Sequence, residues 1–193
     1  MMTNNQIDYT KYFSVAVLPK IHGEPDYVQL KNLKDSLKAN ASRVTSELGG
    51  GAHGHLGLVL SPGDYALVSP VPYIRPVHPG PIVIPPGTNQ HAAISLRDAH
   101  KKEISLFHQT VDLENALKKQ ITESIEEEFY KDIVERSTNT ITHSIPFILN
   151  YLFINYGEID PELLHSSKEN IRTMTFSIQD QLTKLYTVVE DLQ

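Results

Sequence analysis

The chain has 193 residues, a net charge of −6, 12 prolines and 10 glycines, and neither cysteine nor tryptophan. The missing cysteines exclude disulfide frameworks, thiolate zinc sites and any cysteine nucleophile, and they fit a reducing, intracellular setting. No apolar run approaches the roughly 20 residues that span a bilayer, so no membrane partner is expected.

Charge and backbone-breaking residues are both unevenly placed. Residues 1–48 carry six Lys/Arg against five Asp/Glu, whereas residues 97–193 carry ten against seventeen. Phosphate backbones need concentrated Lys/Arg to release counterions, so direct nucleic-acid binding is not expected. Sixteen of the 22 Gly and Pro residues fall between Gly49 and Gly87, and from Gly49 to Leu96 only Asp64 and Arg75 are charged.

Residues 1–22 read as an N-terminal arm, with Ser14-Val-Ala-Val-Leu18 either a short strand or extended chain. Leu30, Leu33, Leu37, Ala41, Val44 and Leu48 then recur at steps of three and four on one helical stripe. Pro25 suits its first turn, Asp26 can cap its free N–H groups, and Gly49-Gly50-Gly51 stops it. His55-Leu-Gly-Leu-Val-Leu60 is a buried helix or strand, because a short apolar run fits both. Ser61-Pro62-Gly63-Asp64 has the order of a capping box and opens a short helix through Val68.

From Ser69 to Gly87 the prolines at 70, 72, 76, 79, 81, 85 and 86 forbid helix and hinder a central strand. The expected form is an exposed, polyproline-like loop. Beyond Thr88, Ala93, Leu96, His100, Ile104, Phe107 and Val111 form one stripe. A second runs through Leu113, Leu117, Ile121, Ile125, Phe129 and Ile133, with a break between the two near Gln109–Asp112. A polar hinge, 137–140, leads to a helix from Thr142–Ser144 that ends at Gly157. Asp160-Pro161-Glu162 and Ser177-Ile-Gln-Asp180 open two further helices, the last running into Gln193 as in part of a longer polypeptide. The fold class is mainly α: about six or seven helices in a compact bundle over 23–193, with at most a short N-terminal strand or hairpin.

Few residues suggest chemistry. Gly49-x-Gly51-x-x-Gly54 has dinucleotide-binding spacing but follows a helical stripe, and no acid lies 20 residues on to hold a ribose. His53-Gly-His55 and His91 loosely match a cupin metal site, yet the carboxylate ligand and the many strands are missing. His100, on an apolar stripe, is expected to be partly buried with a hydrogen-bond partner. Glu123 and Glu127 share a helix face, as solvated pairs do, and Glu126-Glu127-Glu128 reads as solvated surface. No serine sits in a nucleophile elbow. No catalytic residue, cofactor or metal is therefore assigned.

The proline loop has a role of its own, because pre-extended backbone docks onto a partner at little entropic cost. Its candidate contact residues are Tyr73, Ile74, Arg75 and Pro76, followed by His78, Pro79, Ile82 and Ile84. The competing expectation is a loop packed on its own helices.

Several strings together carry a family resemblance. They are Gly23-Glu-Pro-x-Tyr27 with Leu30 and Leu33; Asn40-Ala41; Leu48-Gly-Gly-Gly-Ala-His-Gly-His-Leu-Gly-Leu58; Arg75-Pro-Val-His-Pro-Gly80; Thr138-Asn-Thr-Ile141; and Ile148-Leu-x-Tyr-Leu-Phe-x-x-Tyr-Gly157. From about Leu18 onward the chain resembles the N-terminal part of Gag-like polyproteins of copia-type LTR retrotransposons, whose central domain is similar to a retroviral capsid. It departs from them in lacking helical tryptophans and a zinc knuckle. The resemblance implies a non-catalytic structural protein that assembles with itself into a particle shell, in the cytoplasm or within virus-like particles. A host protein at the proline loop would be a second partner.

Overall fold

The computed structural model describes residues 9–158 together with His165 and Lys168. Among them are four α-helices, α1 (Tyr27–Arg43), α2 (Pro62–Val68), α3 (Gln90–Ser124) and α4 (Ile145–Tyr156), with short 3-10 turns before α1, between α1 and α2 and between α3 and α4. The only β pairing among the described residues is an isolated bridge between Glu135 and Thr140. The class is therefore mainly α. The helices expected after Asp160 and Ser177 lie outside the described residues.

Helix starts follow local chemistry closely. Asp26 accepts the Gln29 N–H at 2.7 Å and the Gln29 side chain accepts the Asp26 N–H at 3.1 Å, a reciprocal box that places Pro25 just before the cap. Ser61 caps α2 by accepting the Asp64 N–H, with Pro62 in the first turn, and the helix ends at Val68 as expected. Asn89 caps α3 through the Ala92 N–H. Ser144 and Gly157 bound α4.

Three boundaries differ from the stripe reading, one being that α3 ends at Ser124, before the stripe residues Ile125, Phe129 and Ile133, the last two of which lie in 3-10 turns. α1 ends at Arg43, five residues before Leu48, because the chain turns back over it. The His55 N–H donates to the Ala41 carbonyl at 3.0 Å, and Gly54 passes so close that a Cβ would meet the Ser42 and Val44 carbonyl oxygens at 2.4 Å. Only glycine fits that approach, and its φ of 53° is left-handed. The expected break near Gln109–Asp112 is absent: α3 runs unbroken for 35 residues, about 52 Å at 1.5 Å per residue. No Gly or Pro lies within it, and Thr110, at the junction of the two stripes, is buried with its hydroxyl on the Leu106 carbonyl at 2.8 Å. Since α3 ends at Ser124, Glu123 and Glu127 do not share a helix face.

The core gathers α1, the C-terminal half of α3 and α4. Leu30, Leu37, Leu113, Leu117, Ile121 and Leu152 are fully buried there. Tyr9, Phe13, Leu18 and Ile21 of the arm join the same cluster, and the described part of the arm, from Tyr9 on, forms no strand. Side-chain amides take the place of a strand partner. Asn40 accepts the Val15 N–H at 2.8 Å and donates to the Val15 carbonyl at 2.9 Å, and Gln120 donates to the Val15 and Ala16 carbonyls. Asn40 and Gln120 also bond each other at 2.9 Å, while the Ser124 hydroxyl reaches the Pro19 carbonyl. Every polar group in this clamp thus has a partner, which is what permits its burial.

Candidate functional site

The Ser69–Gly87 segment contains no helix or strand and runs along the body as a ribbon. Its anchors follow in chain order. The hydroxyls of Ser69 and Tyr65 both donate to the Gly49 carbonyl, at 3.1 and 3.2 Å. The Tyr73 ring lies against Gly57, where any Cβ would fall 2.1 Å from the ring carbon, and its hydroxyl is 2.8 Å from His55 Nδ1. Arg75 pairs with Glu114, which also holds Lys118 at 3.2 Å. The His78 ring stands edge-on to Phe107 at 5.1 Å, and His100 Nε2 donates to the Gly80 carbonyl at 2.8 Å.

The helix residues met by the ribbon are Glu114, then Phe107, then His100. Steps of seven keep them on one face of α3, two turns apart, so the ribbon descends antiparallel to the helix. His100 is thereby the half-buried, partnered histidine its stripe position implies.

Within the ribbon, exposure repeats every third residue. Tyr73, Pro76 and Pro79 are half-buried, while Val71, Ile74 and Val77 are exposed at 47%, 71% and 84%. A period of three is that of polyproline II. Of the eight candidate contact residues, Tyr73, Pro76 and Pro79 therefore face the body, as does the partly covered Ile84. Arg75 and His78 lie open on one side but are engaged by Glu114 and Phe107. Ile74 and Ile82 remain free contact positions, and Val71 and Val77 join them. A signal for those two valines is present in the sequence: counting in threes from Ile74 reaches both.

His55 is fully buried, and its Nε2 has no hydrogen-bond partner among the described residues. Burial pushes its pKa down to about 4, and burial likewise raises that of the Tyr73 hydroxyl. Both groups are thus neutral at pH 7 and bond as a neutral pair.

The candidate metal ligands do not converge. His53 is edge-on to Tyr65 at 6.4 Å, His55 is engaged by Tyr73, and His91 is exposed in the first turn of α3. Among the described residues no three His, Cys, Asp or Glu side chains are placed to hold a metal ion, and no sheet offers a cupin scaffold. The Gly49–Gly54 spacing serves a turn: Gly49, Gly50, Gly51 and Gly54 all have positive φ, and a 3-10 turn rather than a helix follows. Glu123 is exposed and paired with Lys119 at 3.6 Å, and Glu126-Glu127-Glu128 is exposed. Among the described residues no helix is long and apolar enough to cross a membrane.

No protein-family model, curated protein or solved structure matches the chain.

Proposed function

We propose that this chain is a structural, self-assembling protein of the capsid type, the shell-forming part of a Gag-like retrotransposon polyprotein, and not an enzyme. The observation that carries this reading is where its apolar surface lies. Seven of the fourteen exposed large hydrophobic side chains described fall between Leu67 and Val83, on α2 and the ribbon, in a stretch whose only charge is Arg75. A concentration of exposed apolar side chains without charge marks a contact surface, and shells are built from many modest, repeated contacts. The resemblance of its sequence strings to copia-type Gag proteins is a second support. Such a protein works in the cytoplasm, inside the particles it builds.

Light scattering over a concentration series, followed by electron microscopy of the heaviest fraction, tests this. Mass rising with concentration and regular particles are expected; a monomer at every concentration and salt would overturn the reading. A second reading is favoured by the three-residue exposure period: the Val71, Ile74 and Val77 edge is presented to a host protein. Substituting those three residues by serine should abolish a pull-down while leaving helicity intact. The two readings are compatible.

A further inference from the structure

Opposite charges are collected at different places on this molecule. α1 carries Lys31, Lys34, Lys38 and Arg43 against Asp35 alone. The end of α3 and the turns after it carry Glu123, Glu126, Glu127, Glu128, Asp132 and Glu135, with Lys131 the only cation between Glu123 and Glu135.

The lysines line a groove of about 560 Å³ between α1, α4 and the start of α2. Its floor is apolar. Tyr27 meets Phe153 edge-to-face at 5.8 Å, Leu149 lies beside them, and the Lys34 ammonium stands 6.0 Å over the Phe153 ring. Two carboxylates also reach the groove: Asp35, bound to Lys38 at 2.9 Å, and Asp64. The lysines at 31, 34 and 38 form one row about 10 Å long. Such a site favours a short acidic segment, with alkyl stems and rings excluding water around the charges.

The acidic turn carries the complementary charge. Glu126, Glu127 and Glu128 are all exposed, while Phe129 behind them packs edge-on against Tyr156 at 5.3 Å and holds the turn out. The turn lies beside the N-terminal end of α1, where Glu126 accepts the Gly23 N–H at 3.4 Å. From there the lysine row runs away along the helix, so a neighbour displaced along α1 brings its turn to that row.

We propose that the α1–α4 groove receives the Glu126–Glu128 turn of a second copy, joining molecules head to tail. This rests on the self-assembly reading and adds a second pair of touching faces to the apolar surface between Leu67 and Val83. A head-to-tail contact propagates, closing into rings or continuing as open arrays, as a shell requires. Charge complementarity sets its register and makes it sensitive to salt.

The test is sedimentation of the full 193-residue chain. Raising ionic strength from about 0.05 to about 0.5 M should weaken self-association about tenfold or more, as screening shortens the reach of the charges. Two charge-reversed variants, Lys31→Glu with Lys34→Glu and Glu127→Lys with Glu128→Lys, should each fold, by circular dichroism, yet associate at least about tenfold more weakly than the parent. Mixing them in equal amounts should restore association, because each variant then offers the face the other needs. If both variants associate like the parent, or if the mixture associates no better than either variant alone while the parent assembles, the inference falls and self-assembly stands. If the parent never associates, the self-assembly reading falls with it.

Discussion

The two halves of α3 are chemically alike and structurally opposite. Each has an apolar stripe, yet from Gln90 to Gln109 no residue is buried, whereas seven are buried from Thr110 to Ser124. The difference lies outside the helix. The second half is surrounded by α1, α4 and the arm, while the first half is covered by the proline ribbon. Periodicity therefore names a face that wants cover, and the rest of the chain decides what covers it.

Perturbing the covered half should cost the most. Leu117→Ala empties a fully buried position and should remove about 2–5 kcal/mol of stability in a urea titration. A loss below about 1 kcal/mol would mean that the core is not organised around this half.

Acid should attack the ribbon's anchor next. The folded-state pKa of His55, about 4, lies below the ordinary value of about 6.5, so the unfolded chain takes up the proton first. The stability from keeping His55 neutral is complete above about pH 6.5 and is lost as pH falls through about 4, a change approaching about 3 kcal/mol. Unfolding midpoints across that window should show the slope, and His55→Gln should remove its share.

Gly57→Ala sets a methyl group against the Tyr73 ring and should cost about 1–3 kcal/mol. Limited proteolysis should then cut the 70–87 segment sooner while α3 remains helical. If cleavage is unchanged, Tyr73 is not what holds the ribbon. Smallest of all, Leu96→Ala on the thinly covered half should shift stability by less than about 0.5 kcal/mol, since Leu96 is already exposed. A larger loss would show that Leu96 packs more closely than its exposure implies.

Much of the fold was legible where local chemistry decides it. Asp26 and Ser61-Pro62 announced their helices, because a cap needs only its own next turn. The end of α1 was not legible: stripe residues Val44 and Leu48 continue the pattern, and only the return of Gly54 onto the Ser42 and Val44 carbonyls cuts the helix short. The Asn40–Gln120 clamp was missed because its members lie 80 residues apart. A signal existed, since Asn40 stands seven residues after Leu33 and Gln120 seven after Leu113, polar residues at buried positions. For the ribbon, composition gave its extended form, but which edge turns inward depended on Gly57 receiving the ring of Tyr73 and on Glu114 receiving Arg75.

The claim that this surface exists for contacts between copies is tested most directly by amide hydrogen exchange on dilute and concentrated samples. The account predicts slower exchange in the concentrated sample for Val71–Val83 and for the 126–135 turns, with Leu113–Ile121 unchanged. Identical exchange at both concentrations throughout the chain would contradict it.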